Sequence, residues 1–400
     1  MPPPSKRPGL ELLIRRSGAE GAGFELKVLP ADRVFLKLRP RARVEAVAEV
    51  NALEEATGRL FVLRLHEGEA HVQLTEAEYG IWQRMDGKHS IQDLATAMVF
   101  EYGRYDFDEI RRCLARLRSA GLVHEHESRL LRTRGGFAGE RVQSLARAIA
   151  EFDHRWVEVD AAFARLHRRL RPLFSRRAPL PLALLGGIGL LVWALARLGG
   201  HLSAAPLGPW AWALAFALCL PLFMAVHELA HALACKANGR RVKAVGFTLR
   251  DYLLPSLYVD VTDMYMSTRR ARIAVDLAGP LCNLVVAAVA TGLALLLPPV
   301  ALRASLVLVA DVNVALALFT AWPFHGFQED GYQALSEALR TTVLRSRSWA
   351  RVSSLVLRRP PVLEAPPLPT SLFLAGFVVS WAAALAVLAW ALWPTAPISP

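Results

Sequence analysis

Long apolar runs recur in the chain after residue 177 and are absent before it. Runs long enough to cross about 30 Å of hydrocarbon occur at residues 179–198, 209–235, 273–298, 304–322 and 371–393. Residues 1–177 hold 31 Lys+Arg and 25 Asp+Glu, whereas the rest of the chain holds only 16 and 10. This pattern predicts a soluble N-terminal part followed by a multi-pass α-helical membrane part with about five spans.

The positive charges predict how the spans are oriented. Five arginines precede the first span at residues 168–177, and the loops at 236–272 and 323–370 carry eight and six Lys+Arg. The opposite side carries only Arg197 and Arg303. By the positive-inside rule the N-terminus and both loops are cytoplasmic. We therefore expect a multi-pass protein of the cell inner (cytoplasmic) membrane, in contact with the lipid bilayer.

The soluble part has the pattern of a small α+β domain. Residues 60–65 and 71–74 alternate as strands do. Thr75 with Glu78 and Ser90 with Asp93 mark two helix starts, and Asp106 opens a third helix that ends at Gly121. Two strands and three short helices predict a winged-helix fold. The last helix shows no groove-reading pattern, so we expect no nucleic acid partner.

Residues 30–124 resemble the PqqD-like domains that hold the leader peptides of ribosomally made, modified peptides. The resemblance rests on Leu74-Thr75, Tyr79, Ile81-Trp82, Asp86-Gly87, Ile91, Leu94, Leu114, Leu117 and Gly121-Leu122. It implies that a peptide adds as an extra strand to an exposed sheet edge. The alternative is that the domain is a packing module.

A heptad repeat links this domain to the membrane. Apolar residues recur at alternating spacings of three and four from Val142 to Leu170, which predicts one continuous helix. The helix could form a homodimer through residues 142–170, or pack on its own domain or on the membrane. We therefore divide the chain into a winged-helix domain (1–130), a heptad linker (131–177), a membrane core (178–345) and a basic segment with the last span (346–400).

The second span ends in a pattern typical of metalloproteases, His227-Glu228-Leu229-Ala230-His231. Two histidines four residues apart share one helix face, so both imidazoles can bind one zinc while Glu228 lies beside the reacting water. Ionisable groups inside a membrane span are costly and are usually functional. The alternative is a set of polar side chains that neighbouring helices satisfy.

The chain resembles the site-2 protease family of intramembrane zinc metalloproteases over most of residues 30–345. The matching segments are HELAHALACKANG at 227–239, AGPLCN at 278–283, Asn313 with Pro323, and Asp330-Gly331-Tyr332. The resemblance is closest to the peptide zinc metalloprotease branch of this family, because of Tyr332, the stretch Tyr258–Asp263 and the N-terminal domain. It implies one Zn²⁺ per chain, with His227, His231 and Asp330 as ligands, Glu228 as catalytic base, and Asn283 and Asn313 in support.

The segment before Asp330 departs from the family pattern. The interval from Pro323 to Asp330 is about two residues longer than usual, and it contains His325 and Glu329. Both are chemically competent as the third metal ligand in place of Asp330. Asp311, inside the fourth span, either supports the site or forms a hydrogen bond between helices.

Three functions remain open at this point. The first is a membrane zinc endopeptidase that cleaves a peptide or transmembrane segment during maturation or export of a modified peptide, with peptide export components as partners. The second is a regulatory intramembrane protease that releases a membrane-anchored factor. The third is a non-proteolytic export or immunity component. The N-terminal domain favours the first function over the second, and the intact HELAH motif disfavours the third. We further expect the polar loop around residues 240–270, with Leu253-Leu254-Pro255 and the stretch Tyr258 to Val261, to offer the substrate a strand edge.

Overall fold

The structure is a computed structural model. It describes residues 9–15, 24–30, 35–56, 58–66, 71–102, 107–124, 153–175, 177–202, 209–250, 254–298, 301–327, 329–341, 344–357 and 367–392. The chain divides into two compact units, the first comprising residues 1–54 and 58–136 and the second comprising residues 55–57 and 137–400.

Among the described residues, the main elements of the N-terminal unit are five strands and three helices. Its elements are β1 (Gly9–Arg15), β2 (Phe24–Pro30), β3 (Val47–Glu55), β4 (Gly58–Leu65), β5 (His71–Thr75), α1 (Glu76–Gln83), α2 (Ile91–Tyr102) and α3 (Phe107–Ser119). Strand β1 pairs antiparallel with β2, and the other three strands form a sheet in the order β3-β4-β5. The α+β character is therefore confirmed, whereas the PqqD-like identity stays a prediction.

Two helix starts form where the sequence predicts them. Thr75 N donates to Glu78 Oε2 at 2.8 Å, and Glu78 N donates back to Thr75 Oγ1 at 3.3 Å. Ser90 and Asp93 exchange the same pair of hydrogen bonds at 2.8 and 3.2 Å. Each reciprocal pair of hydrogen bonds is a capping box, which satisfies backbone N–H groups that the N-terminus of a helix leaves without a partner. The predicted third start, Asp106, lies outside the described residues.

The second unit is mostly helical. Its elements are β6 (Asp153–Val157), α4 (Asp160–Leu170), α5 (Pro179–Leu198), α6 (Pro209–Ala237), β7 (Ala244–Arg250), β8 (Leu254–Asp260), α7 (Arg269–Asp276), α8 (Ala278–Leu296), α9 (Ala301–Ala321), α10 (Asp330–Ala338), α11 (Leu344–Leu357) and α12 (Pro367–Leu392). Within the described residues, α5, α6, α8 and α9 are long and apolar enough to cross a membrane. Helix α12 occupies the position of the fifth predicted span.

The third predicted span begins five residues later than the sequence suggests. Residues 273–276 belong to α7, a short polar-faced helix whose first turn is capped by Thr268 Oγ1, which accepts from Ala271 N at 3.4 Å. The chain then bends at Leu277 and continues as α8. The apolar run therefore contains two helices rather than one.

Close packing and one ion pair join the membrane helices. A Cβ on Gly189 of α5 would lie 2.1 Å from the Ala288 Cβ on α8. The backbones of α5 and α8 therefore approach each other more closely at this point than a residue with a side chain would allow. The Arg197 guanidinium pairs with both carboxylate oxygens of Asp311 on α9, and Trp193 Nε1 donates to Asp311 Oδ1 at 2.9 Å. Asp311 therefore forms an interhelical contact, the second of its two predicted roles.

The prediction of one heptad helix over residues 142–170 is wrong in its described part. Residues 153–157 form β6, which pairs antiparallel with β7 so that Trp156 lies opposite Val245. Glu158 then takes a positive φ of 64°, and α4 begins at Asp160. Strand pairing with a distant segment thus overrides the local periodicity. Residues 142–152 lie outside the described residues.

The apolar face of α4 is covered by its own chain. Phe163 packs, together with Val159, against a buried cluster that includes Cys235, Val242 and Met264. Lys236 Nζ and Val242 N both donate to Asp160 Oδ1 at 2.8 Å, which fixes the start of α4 to the end of α6. Of the heptad positions, Val159 and Phe163 therefore pack within the chain, whereas Trp156 is 50% exposed. A homodimer through residues 142–170 stays a prediction.

Candidate metal centre

Helix α6 supplies two buried histidines to one point. His227 and His231 are four residues apart and therefore lie on the same helix face. Their side chains are 1% and 6% exposed, and their Nε2 atoms are 3.1 Å apart. The two imidazoles therefore meet at one point, as their spacing of four residues in the sequence predicts.

Asp330 reaches the same point from the first residue of α10. Its Oδ2 lies 2.9 Å from His227 Nε2, and its Oδ1 lies 3.4 Å from His231 Nε2. A glycine makes this approach feasible, because a Cβ on Gly331 would lie 1.9 Å from the Ala321 carbonyl oxygen at the end of α9. Among the described residues, His227, His231 and Asp330 form the one group of three side chains that could hold a metal ion.

The hydrogen bonds of the imidazoles indicate that this group binds a cation. His227 Nδ1 donates to Asn283 Oδ1 at 2.5 Å, and His231 Nδ1 donates to the Val275 carbonyl oxygen at 2.7 Å. With Nδ1 protonated in each neutral ring, both Nε2 lone pairs point at each other and at the Asp330 carboxylate. Three acceptors in contact repel one another unless a positive charge lies between them.

The spacing of these atoms fits zinc. Bonds of about 2.0–2.2 Å in a tetrahedral site place neighbouring ligand atoms roughly 3.3 Å apart. The three separations here are 2.9, 3.1 and 3.4 Å. Two imidazoles and one carboxylate leave a fourth position open, as catalytic zinc sites require.

A glycine on α8 keeps space beside the two imidazoles. A Cβ on Gly279 would lie 2.4 Å from both His227 Nε2 and His231 Nε2. Any other residue would therefore push the rings apart at the atoms that face the metal position. This requirement explains the glycine of the AGPLCN segment.

Asn283 and Asn313 form a chain of hydrogen bonds behind His227. Asn283 Nδ2 donates to Asn313 Oδ1 at 2.8 Å, and Asn313 Nδ2 donates to the Val309 carbonyl oxygen at 2.8 Å. Both asparagines are fully buried. Their amide orientations are thereby fixed, so Asn283 presents an oxygen to His227 and sets its tautomer.

Glu228 points to the edge of the three-stranded sheet β6-β7-β8. Its Oε2 accepts a hydrogen bond from Val259 N at 2.9 Å. Strand β8 pairs with β7 on its other side, so β8 is an edge strand of this sheet. The sheet edge and the carboxylate are therefore held next to each other.

The charges at the centre favour an ionised Asp330. Burial by itself raises the pKa of the Asp330 carboxyl, but without a metal ion protonated His231 and His227 outweigh this effect through their charge and their hydrogen bonds. The result is a pKa below the usual value for aspartate. An ionised carboxylate is the form that binds a metal ion.

Comparison with known proteins agrees with this geometry. The model of the family described as peptidase family M50 matches residues 215–389. YydH of Bacillus subtilis (strain 168), whose name describes a peptide zinc metalloprotease protein, is 38% identical over 58 residues, which cover 14% of this chain and 23% of the relative. Residues 215–389 are thus similar to peptidase family M50, the site-2 protease family, and the chain spans about a quarter of the length of the curated relative that it matches. No solved structure matches the chain significantly.

The two alternative metal ligands lie elsewhere in the M50 segment. His325 Nε2 donates to the Phe319 carbonyl oxygen at 2.9 Å, and His325 Nδ1 accepts from Phe327 N at 3.1 Å. Both ring nitrogens thus stabilise the loop that precedes α10. Glu329 precedes α10 as its N-cap residue and is not part of the metal-binding group.

Three contributors to the M50 centre were not identified from the sequence. They are Gly279, the Val275 carbonyl and the Val259 amide. Two of them act through backbone atoms, which carry no residue-specific signal. Gly279 lies in a matched segment, but its role depends on the distance between α8 and α6, which the sequence does not give.

Proposed function

We propose that this protein is a membrane-embedded zinc endopeptidase that cleaves a peptide or a membrane-associated substrate. The observation that supports the proposal is the convergence of His227, His231 and Asp330 beside Glu228, with Gly279 keeping the space open. His227, His231 and Asp330 would hold one zinc ion per chain. Bound zinc supplies Lewis-acid polarisation of the scissile carbonyl and makes a water molecule more acidic.

Glu228 moves the protons of the reaction. Its carboxylate takes a proton from the attacking water and returns a proton to the leaving amide nitrogen. The Val259 N–H donates to Oε2 and so fixes the position of the carboxylate. Asn283 holds His227 in the tautomer that leaves Nε2 free for metal binding.

The substrate enters as an extended strand along β8. A peptide bond inside a helix is shielded, so cleavage requires an unwound or extended segment. Strand β8 offers an edge for such a segment, and its Val259 amide contacts Glu228 directly. A strand added to this edge therefore passes the catalytic carboxylate.

The biological role that we propose is maturation or export of a ribosomally made, modified peptide, in partnership with export components. The PqqD-like pattern of the N-terminal unit and the name of YydH as a peptide zinc metalloprotease protein support this role. The positive charges before α5 support a location in the cell inner membrane with a cytoplasmic N-terminus.

The test is to measure metal content and peptide cleavage on the same detergent-purified full-length chain. We expect about one zinc per chain in the wild type and in Glu228→Gln, with cleavage of a quenched-fluorescent peptide library only in the wild type. Asp330→Asn loses zinc, whereas its neighbour Glu329→Gln, the matched control, keeps zinc and activity. A wild type without zinc would refute the proposal, and zinc retained in Asp330→Asn would move the third ligand elsewhere.

A further inference from the structure

A cavity adjoins the proposed catalytic centre along β8. Its volume is about 330 Å³, which lies within the usual range of roughly 300–1,000 Å³ for ligand pockets. Its walls come from β8 and the turn after it, from α7, and from α10. Two wall residues touch the centre through their backbones, because Val259 N donates to Glu228 and the Val275 carbonyl accepts from His231. A substrate strand that passes Glu228 therefore also passes this cavity.

The acidic residues of the cavity differ in how they are paired. Glu337 receives two hydrogen bonds of 2.7 Å from Arg272, which neutralise its charge. Asp260 Oδ1 accepts from Thr262 N at 3.0 Å and from Thr262 Oγ1 at 2.7 Å. These two carboxylates are thus engaged by the protein itself.

Asp276, at the end of α7, is the exception. Within the part of the chain that the structure describes, no side chain or backbone group donates a hydrogen bond to its carboxylate. The pKa of the Asp276 carboxyl is raised to about 7, chiefly by burial, with Asp330 and Glu337 also raising it and His231 and Arg272 lowering it. Arg155 and Arg272 line the same cavity, but Arg272 donates its hydrogen bonds to Glu337. A half-buried carboxylate that lines a cavity and accepts no hydrogen bond from the described residues is suited to receive a cationic group from a ligand.

We propose that Asp276 recognises a basic side chain, lysine or arginine, in the substrate next to the peptide bond that is cleaved beside Glu228. This proposal rests on the proposed protease function and names the specificity of the same site. The long methylene stem of either side chain can lie along Val259, Val261 and Met264, which also line the cavity. The charged end then meets Asp276.

The experiment compares matched peptides on the full-length protein. Each pair differs only in lysine against norleucine, or arginine against citrulline, at positions flanking the cleaved bond. We expect the wild type to prefer the charged peptide, and Asp276→Asn to lower kcat/KM for it by about 10–100-fold, the factor of one charge-assisted hydrogen bond. Cleavage of the neutral peptide and the zinc content should stay unchanged. Asp276→Glu should restore much of the preference, and Glu329→Gln, a control carboxylate outside this cavity, should keep it.

A binding assay separates the two proposals. The charged and neutral peptides are titrated against Glu228→Gln and against Glu228→Gln combined with Asp276→Asn, with fluorescence anisotropy as the readout. We expect tighter binding of the charged peptide that disappears in the double variant. If no peptide is cleaved but this preference is seen, the protease function fails and the recognition by Asp276 stands. Equal loss for charged and neutral peptides, or no change in selectivity, would overturn the role of Asp276.

Discussion

Gly279→Ala adds a single methyl group at the proposed metal position. The new Cβ would lie 2.4 Å from the Nε2 atoms of both His227 and His231, and 2.6 Å from His227 Cε1. An ordinary contact between such atoms is at least 3.4 Å. Each imidazole must therefore move by about 1 Å, whereas metal–ligand distances tolerate only about 0.2 Å. The methyl group thus destroys the geometry without removing any ligand.

The expected effect of Gly279→Ala on zinc affinity is a loss of at least about 100-fold, or about 2.8 kcal/mol. The assay is competition for zinc with a chelator of known affinity, combined with the cleavage assay. Gly292→Ala is the matched control, because it lies on the same helix α8 and its Cβ would meet nothing within 4 Å. Thermal unfolding of the metal-free proteins checks that both variants fold. If Gly279→Ala binds zinc as tightly as Gly292→Ala, our assignment of the metal position is wrong.

Three further predictions follow from contacts around the centre and between the spans. Asn283→Ala removes the acceptor for His227 Nδ1 and should weaken zinc binding about 10–100-fold in the same competition assay; unchanged affinity would argue against its support role. Arg197→Met leaves Asp311 buried without its cation and should lower the free energy of unfolding by about 3–5 kcal/mol in detergent, most of which Arg197→Met with Asp311→Leu should recover. Gly189→Ala should lower the unfolding temperature because of its contact with Ala288, whereas Gly187→Ala, whose Cβ meets nothing within 4 Å, should not; equal effects would contradict the close packing of α5 on α8.

The local patterns of the sequence predicted the helix starts, the spans and half of the centre. Thr75 with Glu78, and Ser90 with Asp93, form their capping boxes because each box lies within four residues. His227 and His231 converge because a helix places residues four apart on one face. Features determined by a few neighbouring residues can be predicted in this way.

The heptad shows where local periodicity misleads. Residues 153–157 repeat as a helix face would, yet they pair with β7, about 90 residues away in the chain. Edge pairing with a formed strand supplies backbone hydrogen bonds that the periodicity does not reveal. The same sheet leaves β8 as the edge beside Glu228, so the strand order also decides which edge faces the carboxylate.

The sequence by itself determined the residue types of the centre, four of the five predicted membrane spans and the family resemblance. Only the tertiary structure decided that Asp330, rather than His325 or Glu329, meets the two histidines, because that meeting depends on how α10 starts against the end of α9 at Gly331. It also decided the contacts of Asp311 and Gly279. The physical reason is that each role depends on distances between helices that are far apart in the chain, and such distances are set by packing rather than by local pattern.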